Sequence, residues 1–500
     1  MSGAARFVDA RDRLVSAIDA CHGDPRRLKR VLARAVVAGL LPDPFVSARA
    51  VAAAAPSDLP LAFLAFRSAD PRPSAFAFAA LIRAHSAAPD PSPAFSHFAL
   101  MLRSGLYPDR FVLLSLVRAS ARRAGASRAT ALSLHAVALR RGLLGDLHVA
   151  TSLLHTYASV GLRNASAKLF DEMPLKTTVT YNALISCCAK SAGHDYGLHL
   201  FTEMILHRTR LNADTIVAGL SCCAGLGALG HGRSLHALVV RRLPRMTPEV
   251  GTSLVHMYTK CGSLEAGRKV FDEMETTRDV SAWTAIIGGL ATHGRGEEAM
   301  ALFEKMTEEG VAPDSMAFTS VLHACSHCGL VEVGVKLFNA MKGAYGVEPR
   351  MEHYGTMVDL LGRAGRVEEA KRVVESMPLK PNRVVLGSLL HACVVNGESK
   401  LGKRLERQLL RSESEAGEEE EEEGGFFVGV SNLYAKSGRW NEVGWVRDEM
   451  VERGVKKEKG FSLVEVHGRL HKFLVGDTRH PLTMEMHRML HGLDRGAMLG

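Results

Sequence analysis

No apolar run in this 500-residue sequence reaches the roughly 18 residues that a bilayer-spanning helix requires, so no membrane partner is expected. A P-loop and a nucleophile elbow are both missing, and the Gly-rich pieces such as AGLGALGHG at 224–232 fall where helices turn. Cysteine amounts to nine residues, most of them in or beside apolar helical segments, Cys187, Cys188, Cys222, Cys223 and Cys393 among them. Small buried thiols pack there as weak hydrophobes, and a reduced, intracellular setting follows. Cys325-x-x-Cys328, with His323 and His327 beside it, has half of a zinc site's spacing. No second Cys-x-x-Cys supplies the other half, so packing is the stronger reading. No catalytic residue, metal or cofactor is expected, and the chain reads as a binding protein.

What the sequence has is a repeat. Residues 251–314 state one pattern twice: an apolar segment ending in Lys-Cys-Gly or Thr-His-Gly, then a charged amphipathic segment ending in VFDEM or LFEKM. Ala266, Phe271 and Met274 recur as Ala299, Phe303 and Met306, the spacing of one helical face. Each half is therefore a helix–turn–helix unit that cannot bury its apolar face alone, and copies must stack. Equivalent glycines stand at 161, 193, 227, 262, 294, 329, 365 and 397, at intervals of 32 to 36 residues that rotate among three lengths. Second-helix signatures recur as LFDEM at 169–173, LFTEM at 200–204 and LFNAM at 337–341.

Periods near 34 also belong to tetratricopeptide repeats, whose W-x2-L-G-x2-Y pattern is missing here. The units open instead with TYNALI at 180–185 or AWTAII at 282–287, and several close with Pro-Asp. This vocabulary resembles the pentatricopeptide repeat family of plant organelles, and the rotating lengths resemble its subfamily of short, standard and long motifs. The resemblance implies an all-α, right-handed α-solenoid of repeats of 31–36 residues, with a small β-hairpin plus helix as a tail. Degenerate repeats are expected over 9–74 and clearer ones over 75–382. Extension motifs of the family's E region would occupy 383–460, interrupted by an acidic loop at 412–425, with a further tail over 461–500. Within that tail, FSLVEVHGRLHKFLV alternates about His467-Gly468 as a hairpin would, and an amphipathic helix about 480–492 carries Met484, Met489 and Leu490. Longer relatives continue into a deaminase that needs His-x-Glu and a downstream Cys-x-x-Cys. None of the 22 histidines has Glu two residues on, so this chain is not expected to deaminate by itself.

By the same resemblance, each repeat reads one RNA base through the residue after its early aromatic position and its last residue. The pairs are Asn182 with Asn212, Thr252 with Asp279, and Thr284 with Asp314; Asp109 closes an earlier repeat in the same way. Asn and Thr both donate and accept, whereas Asp only accepts and suits a base offering an imino N–H. Such residues also cap helices, and a dual role is the expectation. The formal charge is +9, and +17 once the eight glutamates of 413–423 are set aside, which favours a polyanionic partner. The expected partners are single-stranded organelle RNA and a trans-acting deaminase or editing cofactor bound through 383–500. The setting would be mitochondrion or chloroplast, although residues 1–8 are too short to show a transit peptide. A splicing or stability factor and a tetratricopeptide-like protein scaffold are the alternatives.

Overall fold

The computed structural model describes residues 3–398 apart from 22–23, 70–72, 123–126, 192, 243–245 and 275–276. Beyond them it describes 401–402, 404–405, 427–432, 434–435, 438–452, 454–455, 461–466, 469–474, 478, 482–486 and 488–489. The acidic run at 412–425 and the His467-Gly468 turn lie outside these residues. The fold is an α-solenoid of helix pairs, in two compact units, Met1–Cys222 and Cys223–Gly500.

In the first unit the pairs begin with Gly3–Asp19 and Pro25–Val37, and run to Leu147–Ser159 with Arg163–Glu172 and Thr178–Lys190 with His194–Leu206. In the second, Pro248–Lys260 pairs with Leu264–Glu273, Val280–Thr292 with Gly296–Glu308, Ser315–Cys328 with Val331–Tyr345, and Met351–Arg363 with Val367–Glu375. First helices of successive repeats pack on one another: Val280–Thr292 lies on Ser315–Cys328, which lies on Met351–Arg363. Being covered on several sides, a first helix buries most of its length, as Ala282, Trp283, Ile286, Ile287, Leu290 and Ala291 show. A second helix buries one stripe, such as Ala299, Leu302, Phe303 and Met306.

The turns follow from backbone chemistry. Gly161, Gly227, Gly262, Gly294, Gly329, Gly365 and Gly397 all take left-handed φ between +65° and +78°, conformations that a side chain would strain. Gly193 differs from the expected equivalence. Its φ is −107°, because the preceding helix exits through extended Ser191 and Gly193 becomes the cap of the next helix. A second set of left-handed glycines, including Gly105, Gly142, Gly310 and Gly346, closes the second helices. In the repeat 178–212 that place is held by Arg208, at φ +52°.

An aromatic seam joins several second helices to the first helix that follows. Phe170 meets Tyr181 edge-on at 5.0 Å between ring centres; Phe271 meets Trp283 at 4.8 Å, Phe303 meets Phe318 at 5.2 Å, and Phe338 meets Tyr354 at 5.2 Å. Each such pair contributes about 0.5–1.5 kcal/mol beyond the area it buries. After the helix Trp440–Glu452 the chain forms an antiparallel hairpin of β1 (Phe461–Val466) and β2 (Arg469–Leu474), in register from Phe461 opposite Leu474 to Val466 opposite Arg469. Residues 483–486 and 488–489 are helical, and Leu490 lies outside the described residues. Among the described residues, no helix is long and apolar enough to cross a membrane.

Candidate nucleic-acid interface

The last residue of a repeat is also the residue before the next first helix, and that double position sets its chemistry. The first backbone N–H groups of a helix have no partner within the helix, so a short acceptor side chain there stabilises it by about 1 kcal/mol. Asp109 Oδ1 accepts from Val112 N at 2.8 Å, Asp279 Oδ1 from Ala282 N at 2.9 Å, and Asp314 Oδ1 from Ala317 N at 2.8 Å. All three aspartates are exposed. One carboxylate oxygen is thus committed to the cap and the other takes no hydrogen bond among the described residues.

The three predicted pairs differ in how closely they meet. Asn182 and Asn212 are brought into contact, Asn182 Nδ2 donating to Asn212 Oδ1 at 2.9 Å. Thr215, which the sequence reading missed, completes the cluster: its Oγ1 lies 2.6 Å from Asn182 Oδ1 and 2.7 Å from Asn212 Oδ1. Its backbone N–H also donates to Asn212 Oδ1 at 2.9 Å, so Asn212 is cap and cluster member together. The signal for Thr215 was available, since it stands three residues after the cap, where a side chain reaches back. Thr284 is half-buried and its hydroxyl donates to Val280 O at 2.8 Å, with no hydrogen bond to Asp314. Thr252 Oγ1 is buried and makes no hydrogen bond. Thr252 and Asp279 are not joined by a hydrogen bond either.

In the first unit a cavity of about 530 Å³ opens between consecutive first helices, lined by Arg118, His148, Thr151, His155, Thr177 and Val179 among others. Thr151 stands in its repeat where Asn182 stands in the next, and Thr177 is that repeat's last residue. Burial holds the His155 imidazole below its ordinary value, so it lines the cavity in its neutral form at neutral pH. The repeat period itself marks this position, which lacks only the preceding aromatic: Ala150 stands before Thr151 as Gly251 stands before Thr252.

The cysteine–histidine cluster resolves into packing. Cys325 is buried with its thiol 3.9 Å from Met300 Sδ, while the Cys328 thiol donates to Gly294 O at 3.3 Å. Burial pushes the Cys325 thiol up to about 11. His323 and His327 meet each other, Nε2 to Nε2 at 3.0 Å. Among the described residues, no group of three or more His, Cys, Asp or Glu is placed to hold a metal.

Comparison with known proteins agrees with this architecture. The PPR repeat model matches residues 179–208, 252–276, 316–344 and 352–380, the PPR repeat family model matches 278–327, and the E motif model matches 415–465. An Arabidopsis thaliana pentatricopeptide repeat-containing protein, chloroplastic/mitochondrial by name, is 38% identical over 88% of this chain and 69% of its own length. Another from the same plant, a putative pentatricopeptide repeat-containing protein named chloroplastic, is 34% identical over 85% of this chain and 81% of its own. The crystal structure of the pentatricopeptide repeat protein PPR10 in complex with an 18-nt psaJ RNA element shares the fold, with a TM-score of 0.59 at 17% identity. That match covers 86% of this chain and 64% of the other. With its repeated helix pairs, its capped first helices and relatives of this length and identity, the chain belongs to the pentatricopeptide repeat family, among the members that carry an E motif.

Proposed function

We propose that this protein binds single-stranded organelle RNA in a sequence-specific manner and marks sites for C-to-U editing by recruiting a deaminase in trans. The observation that carries the reading is the contact of Asn182 with Asn212, side chains 30 residues apart that the repeat brings to 2.9 Å at the boundary between two helix pairs. A base edge presented there meets donors and acceptors already oriented by one another and by Thr215. The solved relative bound to an RNA element supports the same class of ligand, and the E motif supports the editing role over splicing or transcript stability. Organelle names among the relatives support a mitochondrial or chloroplast setting. Segment 383–500 is the recruiting region in this reading, and the repeats themselves do no chemistry.

Asn182/Asn212 then prefers a pyrimidine, while Thr252/Asp279 and Thr284/Asp314 each prefer G, with the repeat 213–247 indifferent. The motif is 5′-pyrimidine–any–G–G-3′ upstream of the target cytidine. Binding to RNAs varied at single positions tests it. Thr284→Asn should move preference from G toward U at one position by about 1–2 kcal/mol. Equal affinity for all four bases in both proteins makes these residues caps and nothing more. Affinity for the single strand should fall steeply with salt and exceed that for duplex.

A further inference from the structure

The C-terminal hairpin does not end the chain as a free extension. Its Glu465 reaches back 235 residues in sequence to the start of the helix Leu229–Arg242, where Gly230 N–H donates to Glu465 Oε2 at 2.8 Å. His231 Nδ1 lies 3.0 Å from the other oxygen, Oε1. The Glu465 side chain is only 13% exposed, so it is enclosed by this contact and not splayed over a surface. The chemistry is complementary: the first N–H groups of a helix are unpartnered, the helix dipole favours an anion there, and an imidazole N–H is suited to the carboxylate's other oxygen. Gly230 leaves the room. A methyl group in its place would sit 2.5 Å from Oε1, so the carboxylate would have to shift to make room. Cys261, at the end of the neighbouring first helix, also feels the carboxylate: burial first, and then the charge of Glu465, pushes its thiol up to about 11. In β1, Leu463 and Glu465 are half-buried while Ser462, Val464 and Val466 are exposed, so one face of the strand is turned to the repeats.

We propose that Glu465 is a latch, fastening the tail hairpin to the edge of the repeats 213–247 and 248–279 through the Gly230 amide and His231. The hairpin is thereby a fixed part of the repeat stack, and opening the latch is what would free it. The inference rests on this geometry and stands apart from the proposed role in RNA editing. A two-stranded hairpin is marginal by itself in water, so its own hydrogen bonds report whether it is docked.

Amide hydrogen exchange on the full chain, read by fragment mass spectrometry, tests the latch through Glu465→Ala and Gly230→Ala. Exchange across 461–474 should quicken by about tenfold or more in Glu465→Ala and by less in Gly230→Ala, while the helix Val280–Thr292 stays as slow as in the parent. Glu465→Ala is the decisive variant, because it removes the carboxylate outright, whereas alanine at 230 favours its helix but leaves the carboxylate free to shift. Hairpin exchange that is already unprotected in the parent, or that is unchanged in Glu465→Ala, overturns the proposal. His231→Ala should give a smaller acceleration in the same segment.

Discussion

At the scale of single residues, the side chain that closes a repeat can also cap the next helix, and the proposed base contact would be its second task. Asp279 and Asp314 cap the helices that follow them through Oδ1, and the proposed base contact would use the oxygen the cap leaves over. Replacing either by Ala should therefore cost about 1 kcal/mol of stability before any effect on binding is counted. Replacement by Asn keeps the cap and isolates the recognition role. Arg208 is a residue in a glycine's place. Its φ of +52° falls where Gly105, Gly142, Gly310 and Gly346 stand in other repeats. Left-handed backbone costs a side-chain-bearing residue about 1–2 kcal/mol, part of which glycine returns as unfolded-state entropy. Arg208→Gly should raise stability by about 0.5–1 kcal/mol in chemical denaturation. A loss of stability would show that the arginine side chain contributes more than its backbone strain removes.

At the scale of elements, close approach between neighbouring first helices sets the packing, and two adjacent glycines read it out with opposite sign. A Cβ at Gly289 would lie 2.5 Å from both Cβ and Cγ2 of Thr259, a stiff side chain on the preceding first helix. A Cβ at Gly288 would meet the Ser320 hydroxyl at 3.3 Å, a group that can rotate, and the Ser320 Cβ at an ordinary 3.7 Å. Gly289→Ala should destabilise by about 1–3 kcal/mol, since overpacking outweighs the gain in helix propensity. Gly288→Ala should be neutral or stabilising by up to about 1 kcal/mol. Equilibrium unfolding of the two variants side by side decides the matter. Equal effects would mean that helix propensity, and not the Thr259 contact, governs the site.

At the scale of the whole molecule, histidine couples stability to pH. Burial is the largest cause holding His85, His135, His155, His194, His236, His256 and His323 below their ordinary value. The unfolded chain therefore takes up protons first as pH falls through about 6.5, and stability that is full above that value is lost below it. Carboxylates held low, such as Asp146 and Glu369, lose their contribution only as pH falls below about 4, so they do not mask the effect. The thermal midpoint should be lower at pH 5.5 than at pH 7.5. A midpoint that holds or rises over that interval would mean these histidines gain compensating partners on protonation.

Local chemistry made much of this protein legible in its sequence. The repeat, its helix pairs, the left-handed turn glycines and the hairpin strands flanking His467-Gly468 are written in periodicity and in residues with few backbone options. Capping, too, could be read one repeat at a time, because it joins residues two or three apart. Proximity between distant residues was a different matter. Gly193 has the spacing of a turn glycine and a different backbone, since the exit through Ser191 decided its conformation. Asn182 met Asn212 and Thr215, whereas the Thr252 hydroxyl was buried without a partner; packing between helices separates two positions that look alike in sequence. The contact of Glu465 with Gly230 and His231 spans 235 residues, and no local preference encodes it. Periodicity specifies which faces are apolar, but only the stacked chain determines which polar groups those faces leave together.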